Sequence, residues 1–368
     1  MNAIPLKRVN ALLLFGILVC LILYFAKKIL IPVTFAIFFA MLFAPLCNWL
    51  ESKGFKRAIT STIAILLTIA VGTGIVLMVF LQGKSLVEKF PVMKERAKQI
   101  TEQGKNYVNE RFGINKKKQE QLVDKQIKSA SQASGRLIKQ SFINVTDFFT
   151  AAVLVILFMF LLLYQREKYE AFFLKLSRNV PVDEEHEMIN RICKVSQQYL
   201  RGRMISIVIF TVFFTIGFLI VGLEDAFFLA FIAAVLTIIP YIGSIIGGLL
   251  PFAVAIVTTD NFNVALGALA VIGIVQAIDN YFIEPYLIGG GVSISGFFTI
   301  LIIVVGGMLW GIAGIILFIP ILGVAKIIFD SFPDLAPYGF LIGDQKEIKP
   351  STKFKKFVKN RLKVLLHR

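Results

Sequence analysis

The sequence has few charged residues, few histidines and few cysteines, and each shortage excludes a class of function. Charged residues make up 17% of the 368 positions and hydrophobic residues 57%, which is too apolar for a soluble globular domain. His186 and His367 lie in hydrophilic segments, so no apolar segment carries a Ser/His pair, and HExxH is absent. The three scattered cysteines suggest neither a disulfide framework nor a metal cluster. We therefore predict a membrane protein that is not an enzyme and uses no metal or cofactor.

A nucleotide-binding loop is also missing. The glycine-rich stretch LIGGGVSISG at 287–296 resembles a phosphate loop only in composition, because it lacks the GK[ST] sequence of such loops. The absence of this sequence disfavours an ATP-driven pump within the chain.

Long apolar runs dominate the sequence. Eight stretches approach or exceed the ~20 residues that a helix needs to cross a bilayer, and the first is marginally short. These stretches are 11–26, 29–50, 59–81, 142–164, 204–223, 226–257, 264–285 and 297–329. We predict an all-α polytopic membrane protein with about eight membrane segments and an extramembrane helical hairpin. The predicted divisions are N-terminal membrane helices (1–82), the hairpin (83–141), a membrane helix (142–164), a cytoplasmic linker (165–203), a C-terminal transport core (204–330) and a basic cytoplasmic tail (331–368).

Positive charge is concentrated beside the membrane segments, so we expect no nucleic-acid partner. The net charge is +16, and Lys/Arg clusters occur at 7–8, 53–57, 165–203 and in the tail, which the positive-inside rule places in the cytoplasm. An inner-membrane protein with both termini cytoplasmic satisfies all four clusters. The Lys-rich segment 83–140 would then face outward, although long loops largely escape the rule. The tail is either a helix lying on anionic lipid or a solvated basic segment.

Segment 83–140 carries two apolar runs with steps of three and four, separated by a turn at FGINKKKQ. This spacing predicts a helical hairpin with a coiled-coil-like seam, interrupted near Pro91. A self-packed hairpin and a contact surface between subunits both fit the pattern. Gly104 and Ser134 weaken the seam, which favours packing against another chain or the membrane domain.

Two apolar segments of the C-terminal half are too long for one straight crossing. Segment 226–257 would measure ~48 Å as a single helix and carries Pro240, Tyr241 and Gly243 near its middle. Segment 297–329 is equally long, and its interruptions are Gly306, Gly307, Gly311, Gly314 and Pro320. Each is either a kinked helix or a re-entrant hairpin, and we expect both to have the same form because this keeps the basic tail inside. Paired interrupted segments are typical of transporters whose site is built from broken helices.

The stretch between them, QAIDNYFIEPY at 276–286, places polar residues inside an apolar run. On a helix Gln276, Asp279 and Asn280 share one face through their i, i+3 and i+4 spacing. An intramembrane carboxylate costs several kcal/mol unless it is neutral, paired or hydrated, so such residues often mark a solute pathway. We assign these three residues to a transport pathway, and the alternative is that Asp279 is a helix-end or hydrogen-bonding residue without a transport role. Glu284 is a weaker pathway candidate, because it lies further round the helix and directly before Pro285, which is expected near the end of the span.

Three motifs carry a resemblance to a known family. They are IPYIG at 239–243, the Asp-Asn pair followed by proline from 279 to 285, and GIAGIILFIP at 311–320, in a similar region that covers about 199–328. In this order they resemble the AI-2E transporter family of bacterial and archaeal membrane proteins, whose acidic position corresponds to Asp279. The resemblance implies a multi-pass inner-membrane homo-oligomer, such as a pentamer, that moves small solutes without ATP.

Three functions remain open from the sequence. The leading one is a secondary transporter or exporter of a small polar or ionic solute, with export of an autoinducer-2-like signal favoured by the resemblance. The second is a Na⁺(Li⁺)/H⁺ antiporter in which Asp279 exchanges a proton for the cation. The third is a non-transporting membrane scaffold whose polar residues only hold helices together. Membership of a family does not choose between them.

Overall fold

The protein is helical throughout the part of the chain that the computed structural model describes, which is residues 6–112, 147–176, 182–240, 242–259, 261–287 and 294–344. The helices are α1 (Leu6–Phe25), α2 (Lys27–Ser52), α3 (Arg57–Phe112), α4 (Asp147–Tyr164), α5 (Arg166–Leu176), α6 (Val182–Val221), α7 (Ala226–Leu236), α8 (Ile242–Thr258), α9 (Phe262–Ile278), α10 (Glu284–Leu287), α11 (Gly296–Trp310), α12 (Ile312–Ser331) and α13 (Ala336–Ile342). Runs long and apolar enough to cross a membrane lie in α2, α3, α4, α6, α12 and α9 with its extension to Ile283. The predicted all-α polytopic membrane fold is confirmed.

α3 is a single helix of 56 residues that continues from a membrane segment into the predicted extramembrane hairpin. The predicted interruption near Pro91 is wrong, because the helix runs through Pro91 to Phe112. The Lys, Glu, Arg and Gln residues that follow have high helix propensity, which offsets the cost of one proline. The first run of the predicted hairpin therefore extends a membrane helix, whereas the predicted turn and second run lie outside the described residues.

The chain forms two compact units, Met1–Tyr169 with Arg203–Ile283 and Glu170–Gly202 with Glu284–Arg368. In the first unit, α2, α3 and α4 pack around a core of small and apolar residues. Its members are Ala36, Ala40, Cys47, Ala64, Met159 and Leu163. Small residues let membrane helices approach closely. Cys47 is buried in this core, and its Sγ donates to the Thr60 carbonyl oxygen at 3.6 Å.

Four charged side chains of the first unit tie the ends of three helices together, and we call them the ion-pair cluster. Glu51 pairs with Arg166 and lies 3.9 Å from Arg57 Nε, and Arg57 also pairs with Glu167. Thr60 Oγ1 donates to Glu51 Oε1 at 2.9 Å. The end of α2, the start of α3 and the junction of α4 with α5 therefore lie on one face of the membrane. α3 carries the chain from this face to the other.

α7 and α8 form an antiparallel hairpin that is joined by residues 237–241 in the first unit. A Cβ on Gly243 would lie 1.7 Å from the Leu236 carbonyl oxygen, and a Cβ on Gly247 would lie 2.9 Å from the Ala233 carbonyl oxygen. The contacting pair nearer the turn, Gly243 with Leu236, is closer in sequence than the pair further from it, Gly247 with Ala233. This order shows that the two helices run in opposite directions. The first interrupted segment is a helical hairpin, so the kinked-helix alternative does not hold.

α11 and α12 form an equivalent hairpin in the second unit, and Gly311 alone joins them. Gly311 has a φ of +61°, which glycine adopts without the steric cost that a Cβ would add. A Cβ on Gly314 would lie 1.9 Å from the Gly306 carbonyl oxygen, and Trp310 packs edge to face on Phe318 with ring centres 5.1 Å apart. Both interrupted segments therefore have the same architecture.

α13 closes the base of the second hairpin. It packs on α12, where a Cβ on Gly339 would lie 2.0 Å from Asp330 Oδ1. The Ser295 N–H donates to the Ile342 carbonyl oxygen at 2.9 Å, next to the start of α11. Lys326 is only 4% exposed and its Nζ donates to Asp330 Oδ2 at 2.8 Å, the local pair expected from their i, i+4 spacing. These contacts hold the start of α11, the end of α12 and α13 together.

Candidate functional site

The predicted pathway residues lie at the end of α9, which is fixed by close contacts within the first unit. Val271 packs against Gly217 of α6. A Cβ on Gly217 would lie 2.4 Å from Val271 Cγ1. Ile272 makes the corresponding contact with Gly248 of α8, at 2.9 Å. Glycines at these positions let α9 approach both neighbours closely, so its end has a defined position.

α9 does not end as a regular α-helix. It begins at a cap in which Asn261 Oδ1 accepts from the Asn263 N–H at 3.0 Å, and after Ile278 it widens into a five-residue π-helical segment, Asp279–Ile283. Pro285 supplies one reason, because it lacks the N–H that a continuing α-helix would direct to a carbonyl four residues earlier. π-helical turns within α-helices occur frequently at functional sites. The assumption of regular α-helical geometry across 276–283 is therefore wrong from Asp279 onward.

Gln276, Asp279 and Asn280 nevertheless lie together, as their spacing predicts, and we call them the polar cluster. Gln276 Nε2 lies 3.4 Å from Asp279 Oδ2 and 3.4 Å from Asn280 Oδ1. A single side-chain amide carries two N–H donors, so it serves both acceptors at once. Asp279 is 8% exposed within an apolar run long enough to span the membrane. The cluster therefore combines a buried carboxylate with two side-chain amides.

The residues after Asp279 sort into a buried and an exposed side. Ile283 is buried, whereas Asn280, Tyr281 and Phe282 are exposed. The polar cluster thus reaches from the packed interior of the first unit, at Asp279, to its surface, at Asn280. The buried carboxylate is therefore directly followed by an exposed amide side chain.

The other predicted residues are placed as follows. Glu284 is exposed in α10 and belongs to the second unit. Pro285 lies in α10 with its side chain outside the described part of the molecule. Tyr241 lies outside the described residues, and Pro240 lies in the turn of the first hairpin.

The predicted break at Pro320 is wrong. α12 continues through it from Ile312 to Ser331, and Pro320 is buried inside the helix. Packed neighbours allow a membrane helix to accommodate an interior proline. The break lies instead at Gly311, which joins two helices, whereas Gly314 lies within α12 and permits their close crossing.

The ion-pair cluster was not predicted, although its residues stand beside the ends of apolar runs. Sequence showed only that these positions are charged, because the partners Arg57 and Glu167 are 110 positions apart. Arg57 holds the pKa of the Glu167 carboxyl below its ordinary value, first through the hydrogen bond and then through its charge. Within the described part of the chain, no group of three or more His, Cys, Asp or Glu side chains is arranged to hold a metal ion.

Comparisons with known proteins agree with this architecture. The family model described as the AI-2E family transporter matches residues 13–334. YrrI of Bacillus subtilis, provisionally named a transport protein, is 24% identical over 315 residues, which cover 83% of this chain and 87% of YrrI. MT0215 of Mycobacterium tuberculosis, named in the same way, is 25% identical over 306 residues, or 80% of each chain. YueF of Bacillus subtilis is 33% identical over 131 residues, which cover 36% of this chain and 35% of YueF.

The family match extends from the N-terminal helices through the second hairpin. It includes the polar cluster and the ion-pair cluster as well as the motifs at 239–320. Together with the membrane-spanning helices, the match establishes that the chain belongs to the AI-2E transporter family of multi-pass membrane transport proteins.

Proposed function

We propose that the protein is a secondary transporter of a small polar solute and that this solute passes the polar cluster. The observation that carries the proposal is the buried Asp279 carboxylate, linked to two amides inside an otherwise apolar helix. A buried charge of this kind in a membrane helix is costly and usually serves a pathway. Carboxylate oxygens accept and amide groups both donate and accept hydrogen bonds, which suits a hydroxyl-rich solute. Export of an autoinducer-2-like signal is therefore the leading assignment.

The two helical hairpins are proposed as the gates of the pathway. α7 with 11 residues is ~16 Å long and α11 with 15 residues is ~22 Å long, so neither crosses a ~30 Å apolar layer alone. α7 begins after Asp225 and α8 ends before Asn261, which favours a re-entrant hairpin whose turn lies within the membrane. Transporters commonly build their sites from such interrupted helices. We assign the hinge positions to Pro240, Tyr241 and Gly243 in one hairpin and Gly311 and Gly314 in the other.

Na⁺(Li⁺)/H⁺ antiport is the second candidate, and the composition of the polar cluster favours it specifically. Asp279, Gln276 and Asn280 all carry oxygen atoms, the ligand type that hard cations prefer. Asp279 would then carry a proton in one direction and the cation in the other. This mechanism needs the carboxylate itself, whereas recognition of a neutral solute needs only hydrogen-bonding groups.

The proposal also covers the membrane, the orientation, the oligomeric state and the lipid partner of the transporter. The Lys/Arg distribution supports an inner-membrane protein with both termini in the cytoplasm. The family resemblance supports a homo-oligomer, for which a pentamer is our working assignment. Residues 345–368 of the predicted basic tail (331–368) lie outside the described residues, and we propose anionic lipid as the partner of the tail because of its charge.

Transport by the purified full-length protein in liposomes tests the pathway assignment. Asp279→Asn keeps the size of the side chain but removes its charge, so we expect the initial rate of labelled autoinducer-2 uptake to fall about tenfold or more, because hydrogen bonds to charged groups contribute ~1.5–3 kcal/mol. Asp225→Asn is the matched control. It removes the same charge within the same unit but outside the polar cluster, and asparagine tolerates the φ of +54° at this position.

The outcomes separate the three functions. Uptake lost in Asp279→Asn but retained in Asp225→Asn supports the leading assignment. Collapse of a pH gradient on addition of Na⁺, lost in Asp279→Asn, replaces it with antiport. If the wild-type protein moves neither solute while Asp279→Asn lowers only the unfolding temperature, the scaffold function replaces both.

A further inference from the structure

The turn between α2 and α3 presents aromatic and basic side chains outward at one face of the membrane. Trp49 is 53% exposed and Phe55 is 46% exposed. Between them the chain reverses direction at Gly54, whose φ is +92°. Lys53 Nζ lies 3.8 Å from the centre of the Trp49 ring, a favourable cation–π contact, and Lys56 is exposed. The turn is therefore both apolar and positively charged on its outer surface.

The neighbouring carboxylates do not neutralise these lysines. Glu51 and Glu167 are the acidic side chains of the ion-pair cluster, and both pair with arginines. Among the described residues, neither Lys53 nor Lys56 takes part in an ion pair. The turn thus keeps two positive charges beside the ion-pair cluster, in which the positive and negative charges are equal in number.

The position of the turn defines which partner fits it. It joins two helices whose apolar runs cross the membrane, so its side chains stand at the level of the lipid headgroups. Tryptophan and phenylalanine insert there with their rings toward the acyl chains, and lysine extends its ammonium group toward the phosphates. An anionic headgroup gains from both ammonium groups, whereas a zwitterionic headgroup brings a positive charge of its own toward them.

We propose that the α2–α3 turn binds an anionic phospholipid of the surrounding bilayer. Lys53 and Lys56 hold its phosphate, and Trp49 and Phe55 contact the boundary between its headgroup and acyl chains. This lipid site is separate from the polar cluster and does not depend on the solute that the protein carries.

The two tryptophans of the chain allow a direct test, because Trp49 is exposed at the turn and Trp310 is buried in the second hairpin. Full-length Trp310→Phe protein is placed in phosphatidylcholine nanodiscs with increasing amounts of brominated phosphatidylglycerol or brominated phosphatidylcholine. Bromine quenches tryptophan only at close range, so the signal reports lipid beside Trp49. We expect half-maximal quenching at a roughly tenfold lower fraction of the anionic lipid, since each lysine near the surface favours anionic lipid several-fold.

Charge variants assign this preference to the turn. Lys53→Gln with Lys56→Gln should make the two brominated lipids equally effective. Lys27→Gln with Lys28→Gln is the matched control at the other end of α2, where Lys27 also lies over an aromatic ring, that of Tyr24 at 4.6 Å. This control should keep the preference of the starting protein.

Three results would overturn the proposal. They are equal quenching by both lipids in the starting protein, a preference that survives in the Lys53/Lys56 variant, and no quenching by either lipid, which would mean that a second copy or another protein covers the turn. If Trp310→Phe does not fold, the difference in quenching between wild-type protein and Trp49→Phe supplies the same signal.

Discussion

Glu51 is the most connected member of the ion-pair cluster. Its side chain is 20% exposed, and it contacts Arg166, Arg57 and Thr60, whereas the 71% exposed Glu167 pairs with Arg57. Exposed ion pairs contribute little because water screens them. The energetic weight of the cluster therefore rests on Glu51.

We expect Glu51→Gln to destabilise the protein more than Glu167→Gln. Loss of the charge should lower the free energy of unfolding by about 1.5–3 kcal/mol, the usual contribution of hydrogen bonds to charged groups. Unfolding by titration with a denaturing detergent measures the difference. Glu187→Gln, which breaks the exposed Glu187–Arg191 pair, is the control and should change stability by less than about 0.5 kcal/mol. An equal effect of all three substitutions would contradict this ranking.

The polar cluster, the partners of Glu51 and the π-helical segment differ in whether the sequence predicts them. The polar cluster could be predicted because its three members lie within one helical turn, where spacing alone fixes their neighbourhood. The partners of Glu51 could not, because they come from helices distant in sequence. The π-helical segment was missed because a periodic pattern of apolar residues assumes regular geometry, and the only local signal against it was Pro285.

At the level of helices, α11 and α12 meet through close backbone contacts as well as side-chain contacts. The Gly314 position has no space for a Cβ because the Gly306 carbonyl oxygen occupies it. A carbonyl oxygen belongs to the backbone, so it cannot move without shifting its helix. Neighbouring Gly307 differs, because its Cβ would meet only the flexible Ile315 side chain at 3.3 Å.

We therefore expect Gly314→Ala to separate α11 from α12 and lower the free energy of unfolding by about 1–3 kcal/mol or more, as overpacking generally does. Gly307→Ala is the matched control in the same hairpin and should have a smaller effect, since the side chain of Ile315 can adjust. The same detergent titration compares the two. If Gly307→Ala proved the more damaging, the crossing at Gly314 would not be the tight contact.

The hairpins could be anticipated only in part. Length and glycine content marked both segments as interrupted, but the same features fit a kinked helix. What decides between a kink and a reversal is the contact between α7 and α8 and between α11 and α12, which depends on residues up to 14 positions apart. Pro320 does not break α12, because a proline interrupts a helix only when its surroundings do not support the remaining bonds.

At the scale of the whole molecule, the ion-pair cluster fixes the relative topology of the N-terminal half. It places residues 52–56 and 165–167 on one face of the membrane. The part of α3 beyond residue 81 extends from the opposite face. The clusters of Lys and Arg residues predict that the first face is cytoplasmic.

Cysteine labelling in membrane vesicles tests this arrangement. In a background without native cysteines, we expect Ser52→Cys and Lys168→Cys to react with an impermeant maleimide from the cytoplasmic side, and Glu95→Cys to react from the other. Glu95 is exposed on the extended part of α3. Labelling of Ser52→Cys and Lys168→Cys from opposite sides would contradict the arrangement that the ion pairs impose.

The turn between α7 and α8 brings helix ends of opposite partial charge to one place. α7 ends there with its carbonyl oxygens and α8 begins with its N–H groups, each end carrying about half an elementary charge. Thr237 Oγ1 satisfies one carbonyl by donating to Ala234 at 2.6 Å, but the dipoles of the two helices remain. A backbone dipole has no proton to lose or gain. Any hold that this turn has on a passing solute would consequently persist in acidic and alkaline media.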